Sequence, residues 1–176
     1  MTKTLIFQRT FEHYRVPVFE EFSQRACVDL VVAIPFQGRD ASPFSNVELN
    51  YSVADLDVSS YRIPFVQELF FYRNWESLMS LVHPDVIVAE GNARIWSLGK
   101  LLSYSKCKNI RTVAWTKYDN LVSWPKSLVW NNFLKKWDHV VCYGQQSLNG
   151  VKKLGIPPCR INIAQNAVPI PETETE

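Results

Sequence analysis

Three β-branched residues in a row, Val86-Ile87-Val88, constrain the fold of this 176-residue chain more than any other stretch. Pro84-Asp85 precede them as a turn, and Glu90-Gly91-Asn92 follow as small and polar residues opening a helix. The run has no alternating polar face. That pattern fits a strand covered on both sides, at the centre of a parallel sheet. Such a strand needs helices above and below it. Glu90, Gly91 and Asn92 then stand at its carboxyl end, where open α/β sheets place their ligand crevice.

The remaining apolar runs support the same architecture. Residues 4–7, 28–34, 110–115, 140–143 and 161–163 read as further strands. Val16-Pro17 opens a helix, since proline is tolerated in a first turn, and Val18, Phe19 and Phe22 are expected on its inner face. Residues 70–82 read as a helix, with Tyr72, Trp75, Leu78, Met79 and Val82 at three-and-four spacing. Another helix is expected over 93–105, with Asn92 as its cap and Gly99 excused by close packing against the sheet. Ser123 caps a helix reaching about residue 136, with Pro125 in its first turn. A last helix over 144–154 stops at Gly155 and Pro157-Pro158. Residues 35–46 read as a loop. Residues 47–53 alternate like an exposed strand, and 55–65 carry no clear pattern, although Pro64 rules out a central strand there. The expectation is a doubly wound, mostly parallel, Rossmann-like α/β sheet in one domain over 1–168, with 169–176 as a linker.

Hydrophobic residues make up 47% and charged residues 20% of the chain, enough apolar content for a real core. The six tryptophans require either an aromatic-rich core or an aromatic contact surface. A formal net charge of +2 is too weak to argue for nucleic acid. Cys27, Cys107, Cys142 and Cys159 form no CxxC pair, so reduced thiols are expected. The three histidines show no metal-ligand spacing. Leu5-Ile6-Phe7 is too short for a signal-peptide core, and no apolar run approaches the roughly 18 residues of a membrane span. A cytoplasmic location is expected.

Three pieces, in order, resemble the N-terminal half of bacterial family 4 glycosyltransferases, which have the two-domain GT-B fold. The first is His13-Tyr14-Arg15-Val16-Pro17-Val18-Phe19. The second is Pro84-Asp85-Val86-Ile87-Val88 with Gly91-Asn92-Ala93-Arg94, followed by Thr112-Val113-Ala114-Trp115. The third is Tyr143, Leu154-Gly155-Ile156 and Ile163-Ala164-Gln165-Asn166-Ala167-Val168. The resemblance implies an acceptor-side half. It implies no cofactor bound by this domain, a nucleotide-sugar donor held by a further C-terminal domain, and metal-independent transfer with retention of configuration. It also implies a place in surface polysaccharide synthesis, and no turnover by this half alone. That C-terminal half carries a Glu-x7-Glu motif in the family. The Glu12 to Glu20 match here lies at the wrong end of the chain. The chain departs from the family in having no glycine pair in its first loop. It also has Trp115-Thr116-Lys117 where relatives with this loop have Trp-Gly-His, and lysine does not replace a neutral imidazole.

The candidate site follows from these placements. Arg9, His13, Tyr14 and Arg15 sit in the first loop, where guanidinium groups suit an acceptor phosphate or sugar hydroxyls; the plainer reading has Tyr14 and Arg15 packing the next helix. Glu90 is a candidate base or orienter of an acceptor hydroxyl, and Asn92 is either an acceptor contact or a helix cap. Lys117, the second catalytic candidate, and Asp119 stand where they would meet donor phosphates or an anionic acceptor, or form a solvated turn. The helix from 123 to 137 sets Trp124 beside Lys126, Lys135 and Lys136. These suit an anionic membrane face and a lipid-linked acceptor, or simply cover the sheet. His83 and His139 read as structural. A rival reading is a non-catalytic GT-B-like module partnering a separate catalytic chain. A dinucleotide binder is disfavoured because the first strand lacks a Gly-x-Gly-x-x-Gly turn.

Overall fold

A computed structural model describes residues 1–10, 13–25, 27–36, 49–62, 68–118 and 126–164, with the backbone alone at 13 and 126–128. Seven parallel strands form one sheet: β1 (Thr2–Phe7), β2 (Val28–Ile34), β3 (Ser52–Asp55), β6 (Val86–Glu90), β7 (Arg111–Thr116), β8 (His139–Cys142) and β9 (Ile161–Ile163). Their spatial order is β3-β2-β1-β6-β7-β8-β9. The chain runs outward from β1 to β3, returns to lay β6 beside β1, and runs outward again the other way. The register Ile6↔Val88 and Phe7↔Ala89 fixes that join. The direction therefore reverses between β1 and β6, and this is the topological switch point of the sheet.

Because the two halves wind in opposite directions, right-handed crossovers put their helices on opposite faces. α1 (Val16–Gln24) presents Phe19 to one face, where it meets Ile6, Leu30, Val32 and Trp115. α2 (Trp75–Val82), α3 (Ser97–Cys107), α4 (Lys126–Leu134) and α5 (Gln145–Lys153) belong to the other half. Their Leu78, Leu98, Leu134 and Val151 join Leu5, Phe7, Ile87 and Ala114 in the larger core. Trp75, Trp115 and Trp137 are buried, so much of the aromatic content is core, although Trp96 is exposed.

Several expectations shift. Residues 70–72 are not helical. They belong to β5 (Leu69–Tyr72), which pairs antiparallel with β4 (Val58–Tyr61) in a small second sheet. Tyr72 and Trp75 are three residues apart, which suits one face of a helix, but an aromatic run favours the strand. β3 starts at Ser52; Tyr51 before it is buried edge-on against Phe19, and Val47 lies outside the described residues. Phe22 is 38% exposed rather than core. α3 begins at Ser97, four residues later than expected, because Ile95 first forms a bridge to Phe70. Helix α4 is described from Lys126, and its expected cap at Ser123 lies outside the described residues, as do 169–176.

Gly99 does not pack against the sheet. It is exposed, and a Cβ built there meets nothing within 4 Å. Gly99→Ala is therefore expected to stabilise the fold by about 0.5 kcal/mol, chiefly by restricting the unfolded chain. A rise in the denaturant midpoint at constant slope is the readout, and a fall would show that the helix needs glycine there.

Candidate functional site

The carboxyl ends of β1, β6, β7 and β8 gather a set of polar and aromatic side chains. Gln8 directly follows β1. Its N–H donates to Ala33 O at 2.9 Å, and its side chain is buried. Arg15, ending a short 3-10 turn over His13–Arg15, donates from Nη1 to Gln8 Oε1. Its Nη2 donates to Tyr143 Oη at 3.1 Å. The guanidinium also lies 5.6 Å from the Trp115 ring centre and 5.7 Å from that of Tyr14. Trp115 stacks on Tyr143 at 5.5 Å. Arg15 is only 9% exposed, and every one of these partners is neutral. Its Nε has no hydrogen-bond partner among the described residues. A charge so placed is held by a polarisable aromatic wall and two neutral acceptors.

Glu90 closes β6 beside this group. Its Oε2 is 3.6 Å from Arg9 Nε, with the side chains 17% and 27% exposed respectively. Arg9 in turn lies over the Phe70 ring at 4.1 Å, and Arg94 approaches the same ring at 5.9 Å. Arg9 thus pairs with Glu90 at the switch point, and Arg94 shares the Phe70 ring with it. The arrangement can accept one proton or hydroxyl hydrogen bond at Glu90 and donate several from guanidinium groups, which suits a polyhydroxylated or anionic ligand.

Tyr72 and Tyr143 sense the same charges. Burial pushes the Tyr72 hydroxyl well above its usual pKa, Glu90 adds to the rise, and Arg9 opposes it. Burial likewise raises Tyr143, and Glu90 and Tyr14 push the same way, while Arg15 pulls it back. Both hydroxyls therefore stay protonated at neutral pH. Tyr72 stacks on Phe7 at 5.7 Å, and its hydroxyl has no hydrogen-bond partner among the described residues. An unpaired buried hydroxyl costs about 1–3 kcal/mol, so Tyr72→Phe is expected to hold or raise stability by about 1 kcal/mol. Calorimetric unfolding is the check. A loss of stability would mean that the hydroxyl has a partner after all.

The structure brings Arg9 and Glu90 together, and separately brings Arg15 to the half-buried Tyr14. Asn92 does not cap α3. Its Oδ1 accepts the Arg94 N–H at 3.0 Å in a tight turn ahead of the helix. Lys117 is exposed just past β7 and makes no ion pair or hydrogen bond among the described residues. Asp119 and Trp124 lie outside the described residues, as do the side chains of His13 and Lys126. Lys135 and Lys136 are exposed, but at the opposite, amino-terminal edge of the sheet. His83 caps the end of α2 in a left-handed conformation (φ 49°), and His139 opens β8. Gln8 and Tyr72 were not foreseen. Gln8 was findable by the rule that gave Glu90, as a polar residue straight after a buried strand. Tyr72 was hidden by its assignment to a helix.

All four cysteines are free thiols. Cys142 is buried at the end of β8, and burial lifts its pKa to about 11, so it offers no thiolate at neutral pH. Among the described residues no helix is long and apolar enough to cross a membrane.

No protein-family model matches the chain, and no curated protein matches it in sequence. Solved structures do match in shape. HepE of Anabaena, in complex with UDP, superposes with a TM-score of 0.60 at 12% identity, over 94% of this chain and 44% of that one. The UDP-GlcNAc 2-epimerase of Neisseria meningitidis, bound to UDP-GlcNAc, gives 0.56 at 14% identity, over 93% and 45%. The UDP-GlcNAc 2-epimerase of Methanocaldococcus jannaschii gives 0.55 at 13%, over 93% and 45%. This is the Rossmann-like fold of one GT-B half. The chain spans less than half the length of these proteins. At such identities the likeness is one of fold, and the family 4 resemblance stands on the sequence motifs alone.

Proposed function

We propose that this chain is the acceptor-binding half of a retaining, metal-independent glycosyltransferase, moving a sugar from a nucleotide-sugar to a saccharide or lipid-linked acceptor in surface polysaccharide synthesis. The observation that carries this reading is the Arg9–Glu90 pair at the carboxyl ends of β1 and β6, at the switch point where α/β sheets bind ligands. In it, Arg9 and Arg94 donate to acceptor oxygens. Glu90 orients the attacking hydroxyl and draws off its proton. Lys117 meets developing charge on the donor phosphates from the end of β7. The donor is held by a second GT-B domain, so beside the roles of Glu90 and Lys117 this half contributes positioning of the acceptor. Peripheral contact with the inner membrane face through Trp124, Lys126, Lys135 and Lys136 belongs to the same proposal.

A second reading draws on 2-epimerases among the fold neighbours. It has the same cleft rearranging the sugar of a nucleotide-sugar without an acceptor. One experiment separates the two. The complete natural polypeptide containing this chain is incubated with labelled UDP-sugars and a membrane lipid extract. Label appearing in lipid or saccharide supports transfer. Label remaining on UDP but carried by the C2 epimer replaces it with the second reading. Neither product across the donor panel favours a non-catalytic module. The chain by itself is expected to show no transfer, and turnover by it alone would overturn its assignment as a half.

A further inference from the structure

At the other edge of the sheet, the amino ends of β7 and β8 form the floor of an open cleft of about 940 Å3. Its walls come from the end of α3, the residues entering β7, the segment after α4, and the 3-10 turn Pro158–Arg160. Five lysine and arginine side chains line it, Lys106, Arg111, Lys135, Lys136 and Arg160, against one carboxylate, Asp138. The whole chain carries a formal net charge of only +2, so positive charge is concentrated here.

The carboxylate does not neutralise the cleft. Asp138 Oδ2 accepts from Thr112 N at 2.8 Å and Thr112 Oγ1 at 2.9 Å, which commits it to the start of β7. Arg160 is also committed. Its Nε donates to Asp138 O at 2.8 Å and its Nη2 to Trp137 O, fixing the chain after α4. The other four cations are exposed and make no ion pair or side-chain hydrogen bond among the described residues. Lys106, Lys135 and Lys136 gain something from nearby helix carboxyl ends. Arg111 opens a strand and has no such reason to be there.

We propose that this cleft binds a ligand carrying two or more phosphate groups, at a site separate from the switch-point cluster and independent of its function. Mobile ammonium groups and a free guanidinium converging from three elements match dispersed phosphate oxygens. The volume lies toward the upper part of the roughly 300–1,000 Å3 range of small-molecule sites, larger than a single phosphate needs. Leu102 and Ile110 give the floor an apolar portion for the rest of the ligand.

The test is calorimetric titration of the chain with sodium tripolyphosphate at low ionic strength. Saturable binding is expected. It should weaken about tenfold in Arg111→Gln and in the double variant Lys135→Gln/Lys136→Gln, the loss of one or two charge-assisted bonds. Lys152→Gln/Lys153→Gln, on α5 and outside the cleft, should bind as the parent does. Circular dichroism checks that each variant is folded. Absence of saturable binding, or equal losses in the α5 variant, overturns the proposal. Flotation with cardiolipin vesicles, whose headgroup carries two phosphates, identifies the source of the phosphate. Vesicle binding that tripolyphosphate competes away, and that the cleft variants lose, assigns a lipid headgroup. Tripolyphosphate binding without flotation assigns a soluble ligand. Flotation indifferent to both competitor and variants counts against the cleft.

Discussion

Replacing Arg15 with alanine is expected to destabilise the fold by about 3 kcal/mol, lowering Tm by about 6–12 °C for a chain of this size. Three losses combine. Gln8 Oε1 and Tyr143 Oη are stranded, each in buried or half-buried surroundings. The space between Trp115, Tyr14 and α1 is left unfilled. The tie between the loop after β1 and the end of β8, 128 residues apart in sequence, is cut. Against this, alanine relieves the desolvation of a guanidinium that has no carboxylate beside it. Arg15→Met separates the contributions because it refills much of the volume without a charge. Methionine is expected to recover about half of the loss. Lysine should not rescue, since one ammonium cannot span Gln8 and Tyr143 as the planar fork does. Guanidinium denaturation with an unchanged slope measures all three. An alanine variant within about 0.5 kcal/mol of the parent would remove Arg15 from the scaffold and leave it free for the ligand role that its place in the first loop suggests.

The sequence made the parallel sheet legible because the central strands carry short apolar runs rich in β-branched and aliphatic residues, with no alternating polar face and turn residues around them. It was less clear where an aromatic run also fits a helical spacing. Tyr72 satisfied a helical spacing with Trp75 yet lies in β5, because its partner Val58 in β4 sits in a segment of weak pattern. The helix start at Asn92 failed for a different reason. Asn92 does form the local side-chain bond its type favours, but it turns the chain toward the Phe70↔Ile95 bridge instead of opening α3. At the site, the rule of polar residues after buried strands found Arg9 and Glu90, and the structure pairs them. Nothing in sequence spacing could join Arg15 to Tyr143. Their contact exists only because β8 is laid two strands from β6 by a fold that must first be complete. The same holds for the basic cleft, whose cations are scattered along the chain and converge only at the sheet's amino edge.

Gly91→Ala is expected to cost about 2–3 kcal/mol, and the reason is contact rather than backbone conformation. A Cβ at Gly91 would lie 2.7 Å from Thr116 Cβ, and 3.1 Å from both Thr116 Oγ1 and Leu134 Cδ2. The Leu134 methyl can shift. Thr116 Cβ cannot, because it is attached directly to β7, and β7 is held to β6 through the pairing Glu90↔Trp115 and the Gly91 N–H to Trp115 O bond at 2.9 Å. Relief therefore requires prising β6 from β7 at the end that carries Glu90, so the strain falls on the candidate site as well as on stability. Adding Thr116→Gly to the alanine variant removes the obstructing atom. It should recover part of the loss as a coupling energy of about 1 kcal/mol, less the cost of placing a glycine in β7. Gly99, eight residues along in α3, supplies the control, since the same change there meets open space and should stabilise. Opposite signs for one chemical substitution at two glycines in one segment are what close approach predicts. If both lose stability by similar amounts, general intolerance of side chains explains the result, and the packing of Gly91 on Thr116 no longer accounts for it.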